Sequence, residues 1–91
     1  MTGKERAGFR KLANTLTPIF QIGKENVTDA LIEAVDAALK KRELIKLSVL
    51  ETSELSAKEA AAQLAEATGA DVIQCIGRKL VLYRKKEEDA E

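Results

Sequence analysis

Apolar residues recur near the start of the chain at helical spacing. Phe9, Leu12, Ala13 and Leu16 stand at i, i+3, i+4 and i+7, which places them on one stripe. Thr2 and Glu5 precede that run as a capping box, in which the Thr hydroxyl accepts from the third helical amide and the Glu reaches back. The spacing predicts a helix from the start of the chain to about Leu16, stopped by Pro18, which has no N–H to donate. Ile19-Phe20-Gln21-Ile22 reads as a short buried strand and Gly23-Lys24-Glu25-Asn26 as a turn. Thr28 is a good N-cap and Asp29 suits the positive first turn. Leu31, Ile32, Val35, Ala38 and Leu39 give the second helix its apolar face.

From Glu43 the period changes to two. Ile45, Leu47 and Val49 share one face, and Lys46 and Ser48 the other. Leu44 and Leu50 break the alternation, so the second face is expected to be partly covered. Ser56 and Glu59 form a second capping box. The helix behind it, with Ala60, Ala61, Leu64 and Ala67 inward, should run to about Thr68 and end at Gly69, a natural residue just past a helix. Residues 72–76 and 79–84 read as two strands joined at Gly77-Arg78, a short connection that favours a hairpin. The order is α-β-α-β-α-β-β. It predicts a single α/β (α+β) domain with a four-stranded mixed sheet packed with three helices over residues 1–86, and an acidic, frayed tail over 87–91.

Composition narrows the function. The chain has 91 residues, no His, no Trp and one Cys. That length suits one domain. Without His there is no Ser-His-Asp or Cys-His catalysis, and one Cys makes neither an internal disulfide nor a thiolate zinc site. Cys75 lies in the middle of a strand and reads as a small core residue. Carboxylates fall on outer helix faces, with no sign of a pocket. The expectations are therefore no catalytic residue, no enzyme activity, no metal, no cofactor and no small-molecule substrate. No apolar run is long enough for a bilayer and Met1–Arg6 lacks a leader's apolar stretch, so a cytoplasmic monomer with no membrane partner is expected.

Charge changes the picture again. Fifteen basic residues cancel fifteen acidic ones, but the cancellation is between separate blocks. Residues 1–24 hold Lys4, Arg6, Arg10, Lys11 and Lys24 against Glu5 alone. Residues 77–86 hold Arg78, Lys79, Arg84, Lys85 and Lys86 with no acid. Without the four acids of 87–91 the balance is 15 basic against 11 acidic, or +4. At about 100° per residue, Lys4 and Lys11 point opposite the first apolar stripe, and Arg6 and Arg10 flank it. The Gly23–Asn26 turn joins a strand to a helix N-terminus, whose amides attract phosphate, and Lys24 adds a full charge. Its spacing resembles the G-x-x-G loop with which KH domains clamp a nucleic-acid backbone, with Asn26 at the last position. No exposed pair of aromatics is available for base stacking, since Phe9 and Phe20 lie on apolar faces and Tyr83 near a strand end.

Several blocks in order resemble one family: Leu12-Ala13 with Leu16-Thr17-Pro18, Ile19 to Lys24, Val27-Thr28, Arg42 to Leu47, Thr68-Gly69-Ala70, Val72 to Gly77 and Leu80 to Arg84. Together they are similar to the CRM domain (chloroplast RNA splicing and ribosome maturation), above all to its stand-alone bacterial YhbY-type members. The resemblance covers about residues 2–84. It implies an α-β-α-β-α-β-β domain that binds RNA, in bacterial members ribosomal RNA of large-subunit precursors during ribosome assembly. The family loop falls on Gly23, Lys24, Glu25 and Asn26, with Asn26 where the last Gly stands, and Arg42 occupies a position often held by His. The expected RNA-binding set is Gly23, Lys24, Glu25, Asn26 and Thr28 at the loop, Lys4, Arg6, Arg10 and Lys11 on the first helix, with Arg42, Lys46, Arg78 and Lys79 as extensions. The alternative is a protein-interaction adaptor docking through acidic helix faces or a sheet edge.

Overall fold

Both capping boxes form. The Thr2 hydroxyl accepts from the Glu5 amide and Glu5 accepts from the Thr2 amide, opening α1 (Gly3–Ala13). Ser56 and Glu59 do the same for α3 (Ala57–Thr68). The computed structural model describes residues 1–86, and the acidic segment 87–91 lies outside them. Between and after these helices come β1 (Phe20–Ile22), α2 (Asp29–Arg42), β2 (Leu44–Val49), β3 (Asp71–Ile76) and β4 (Lys79–Tyr83). Gly69 closes α3 with a left-handed φ of 76°.

The helix at the start is shorter than its apolar spacing predicts. It ends at Ala13, because the Thr15 amide and hydroxyl both donate to the Leu12 carbonyl and tighten the chain into a turn ahead of Pro18. Leu12, expected on the inner stripe, is 57% exposed. Phe9 and Ala13 carry the apolar contact of α1 with the sheet.

The sheet order is β1-β2-β4-β3. β1 and β2 are parallel, and β4 runs antiparallel to both its neighbours. The helical crossovers through α2 and α3 thus join parallel strands, and the last strand inserts between β2 and β3. One face of the sheet packs Ile22, Ile45, Leu47, Val49, Leu80 and Leu82 against Val35 and Leu39 of α2 and Leu64 of α3. Ala57, Ala60 and Ala61 are buried there and let α3 lie close, whereas Ala67 is exposed at the end of that helix. No polar or charged side chain is buried among the described residues.

The other face is half covered. Ala13, Ile73 and Val81 form a second cluster with Phe9, Leu44 and Tyr83, which accounts for Leu44 in the alternating strand. The Phe9 and Tyr83 rings stack with centroids 4.1 Å apart. A bulge between Val72 and Gln74 makes Ile73 the extra residue and turns it toward α1. α1 crosses from β3, where Arg6 donates to the Val72 carbonyl, to β2, where the Lys46 ammonium lies 3.4 Å from the Ala13 carbonyl. It leaves open the row Gln21, Ser48, Lys79 and Ile76, paired in register across all four strands.

Arg84 locks the opposite end of the sheet. Its guanidinium donates to Asp36 Oδ1 at 2.7 Å, to the Asp36 carbonyl at 3.0 Å and to the Thr68 carbonyl at 2.6 Å, and its amide donates to the Glu43 carbonyl. One side chain thereby ties β4 to α2 and to the end of α3. Hydrogen bonds from Arg84, and then from Lys40, hold the Asp36 carboxyl below its ordinary value. A lowered folded-state pKa adds stability above the unfolded value, about 3.9 for Asp, and that stability is lost as pH falls through the folded value. Arg84→Met should cost about 1–2 kcal/mol, chiefly because the Thr68 carbonyl at the end of α3 loses its donor, whereas the Asp36 carbonyl keeps its helical partner. It should also flatten the loss of stability below about pH 4. Denaturant unfolding of both proteins from pH 7 to pH 2 measures both effects.

Candidate nucleic-acid interface

β1 ends at Ile22, whose carbonyl accepts from the Leu50 amide at 2.8 Å. The next four residues make the turn: the Asn26 amide donates to the Gly23 carbonyl at 2.9 Å. Asn26 has φ 59°, in the left-handed region. Asn enters that region more readily than other non-glycine residues, so the turn keeps its shape without a fourth-position Gly. The side chain does more than tolerate the geometry. Asn26 Oδ1 accepts from Ser53 Oγ at 2.9 Å and from the Glu54 amide at 3.0 Å. The Ser53 hydroxyl in turn accepts from the Leu55 amide at 3.1 Å. The turn is thus stapled to the loop after β2. Gly23 is not required by the fold itself: a Cβ there would meet Thr52 Oγ1 at 3.5 Å, an ordinary contact.

Beyond the turn, Thr28 caps α2 by accepting from the Leu31 amide at 3.0 Å. At this third helical position α1 and α3 carry Glu5 and Glu59, which close their own helix ends. α2 carries Leu31. It opens with its positive end uncovered by a reaching carboxylate, beside the exposed Lys24 and Glu25. Gln21, Gly23, Asn26, Thr28 and Leu31 border a concavity of about 390 Å³ there.

The basic residues divide into groups. Lys46 and Lys79 border a second concavity, about 210 Å³, with Asn14, Gln74, Ile76 and Val81 on the open half of the sheet. Arg10 stands four residues before Asn14 and so on the same flank of α1. Arg78 lies exposed on the hairpin turn, and its carbonyl accepts from the Val49 amide at 2.7 Å. Ile22 pairs with Val49 and Ser48 with Lys79, so the Gly23–Asn26 turn and the hairpin share one end of the sheet. Arg10, Lys24, Lys46, Arg78 and Lys79 therefore border the open half or its end. Lys4 and Lys11 lie on the face of α1 turned away from the sheet. Arg42 sits at the far end of β2, beside Leu16, Thr17 and Ile19. Arg6 is half-buried and engaged with the Val72 carbonyl.

The sequence reading missed Ser53 and Glu54, whose bonds to Asn26 cross 27 and 28 positions of chain, and the polar residues Asn14, Gln21 and Gln74 beside the basic ones. Cys75 is half-buried with Sγ 3.9 Å from the Ala57 carbonyl, and burial pushes its thiol pKa up, as suits a protonated packing residue. Among the described residues no group of three or more His, Cys, Asp or Glu could hold a metal ion, and no helix is long and apolar enough to cross a membrane.

The staple has a measurable cost of removal. Asn26→Gly keeps the backbone at ease but loses both bonds to the neighbouring loop, and should destabilise by about 1 kcal/mol. Asn26→Ala adds strain at positive φ and should cost about 2 kcal/mol or more. Urea midpoints of the two variants and the parent check the order.

Comparison with known proteins gives one consistent result. The family model for the CRS1 / YhbY (CRM) domain matches residues 1–84. A Bacillus subtilis relative named "Probable RNA-binding protein YqeI" is 40% identical over 89 residues, covering 98% of this chain and 93% of the relative. A protein of Haemophilus influenzae named an RNA-binding protein is 30% identical over 88 residues, covering 97% of this chain and 89% of its own. A solution structure of SAV1595 from Staphylococcus aureus superposes with a TM-score of 0.81 at 42% identity, covering 98% of this chain and 93% of that one. On its sequence and its fold alike, this chain belongs to the CRS1/YhbY (CRM) domain family.

Proposed function

We propose that this protein binds RNA and that the Gly23–Asn26 turn with the start of α2 is where it grips the backbone. The observation that carries the reading is the start of α2, where Asp29 stands in the first turn but no third-position carboxylate closes the helix end, beside a turn held by Asn26. Backbone amides at a helix N-terminus bind phosphate oxygens, and a rigid loop loses little entropy on binding. Gly23 and Lys24 are the first residues of the loop, Thr28 is the cap that frames it, and Glu25 turns the loop away from indiscriminate attraction to polyanions. Arg10, Lys46, Arg78 and Lys79 extend the positive surface along the open half of the sheet. Lys4, Lys11 and Arg42 provide outlying charge that attracts RNA at longer range, and Arg6 serves the fold as well.

The names of the relatives support RNA as the ligand. The finer role we assign is binding of ribosomal RNA in precursors of the large subunit, as a monomer in the cytoplasm, stoichiometrically and without chemistry. Residues 1–86 are the binding domain. Phosphate contacts position a protein but carry little sequence information, so RNA shape would select the site.

If about four phosphates are engaged, the log-log dependence of the binding constant on salt should have a slope of about −3. Fluorescence anisotropy with fragments of large-subunit ribosomal RNA, repeated from low to high salt, measures it. Lys24→Ala with Arg10→Ala should weaken binding about tenfold or more at low salt. A flat salt response, or a double variant that binds like the parent, contradicts the proposed surface.

A further inference from the structure

The open half of the sheet carries more than positive charge. Its outermost row is Gln21, Ser48, Lys79 and Ile76, one residue from each strand. The next row inward brings Lys46 and Gln74 to either side of Val81. Ile76 is 64% exposed, a large apolar side chain standing among amides, a hydroxyl and two ammonium groups. None of the residues in these rows is acidic. α1 walls the surface on one side with Asn14, and the Gly23–Asn26 turn lies at its end.

Each component has a counterpart in an unpaired nucleotide. Side-chain amides both donate and accept, which is what the polar edge of a base requires. The exposed Ile76 offers an apolar contact for a base face where other four-stranded RNA-binding sheets use aromatics for two or three bases. Lys46 and Lys79 suit the phosphates between them. An RNA duplex is a poor fit, since its bases are stacked inside and its deep groove admits no side chain. A protein partner would bring apolar surface to Ile76 but would need to be acidic to satisfy the lysines. The sheet also runs on without interruption to the turn already assigned to the RNA backbone.

We propose that the open half of the sheet is a second contact surface, reading the bases of unpaired RNA through Gln74, Ser48 and Gln21 and packing a base on Ile76. This rests on the RNA-binding reading and deepens it: the turn holds the backbone, and the sheet supplies preference for particular unpaired bases.

The test uses the full chain with labelled single-stranded homopolymers of U, A, C and G and one RNA duplex. The parent should bind at least one single strand about fivefold more tightly than the duplex and should rank the homopolymers. Ile76→Ser removes an exposed apolar group without adding charge, so its thermal melt should match the parent's. It should weaken single-strand binding about fivefold. Gln74→Ala should flatten the homopolymer ranking while leaving the salt slope unchanged. Lys24→Ala should reduce the slope by about 0.7 and leave the ranking intact. If both sheet variants bind and rank as the parent does while Lys24→Ala weakens binding, the sheet proposal fails and the loop reading stands. If the parent shows no salt-dependent RNA binding, the reading beneath it fails. If Ile76→Ser loses a nuclease-resistant protein partner but keeps its RNA affinity, the face belongs to a protein and the proposal is overturned.

Discussion

One strand has to be buried on both faces. Leu80 and Leu82 of β4 face α2 and α3, while Val81 faces α1, and all three are buried. A strand in that position needs cover above and below it, and the chain supplies unequal amounts. Two helices of 14 and 12 residues close one face. The 11 residues of α1 span about 16 Å at 1.5 Å per residue, and they cross the other face on one half only. The stack of Phe9 on Tyr83 and the insertion of Ala13 beside Val81 keep that crossing in place. The uncovered half is a direct consequence of the mismatch, and its exposed residues are polar apart from Ile76.

The same constraint places the turns. With β4 between β2 and β3, the hairpin turn at Gly77-Arg78 falls beside the ends of β1 and β2. The Gly23–Asn26 turn is therefore next to the open half of the sheet and not at its covered end. Asn26 fixes it there through the loop after β2. Arg84 does equivalent work at the other end, drawing α2 and α3 onto the strand that needs them. Rigidity at both ends leaves a groove and a turn that keep their shape before any ligand arrives.

Much of this was legible in the chain. The two capping boxes, the Gly69 stop and the alternation from Leu44 to Val49 are local signals, and the helices and strands follow them closely. Partial cover over Leu44 was readable too, but not that α1 supplies it, and Leu50, the other exception, lies past the strand and is exposed. Leu12 misled, because helical spacing describes a stripe but cannot say where the helix stops crossing the sheet. The strand order was not legible, since inserting β4 between β2 and β3 depends on long-range pairing. Nor was the bulge at Ile73, which the continuous strand-like run Val72-Ile73-Gln74-Cys75-Ile76 conceals. At the site, Gly23, Lys24 and Thr28 could be read from spacing. The part played by Asn26 could not, because its partners Ser53 and Glu54 come near only through the fold.

The proposed RNA contact lies at the end of the sheet where the stapled turn, the start of α2 and the hairpin converge. An NMR titration of the full chain with ribosomal RNA fragments, following each backbone amide, tests it most directly. The largest shifts should fall on residues 23–31 and 74–79, with the outer faces of α2 and α3 unmoved. Shifts confined to those acidic helix faces, or none at all at RNA excess, would place RNA elsewhere or exclude it as the ligand.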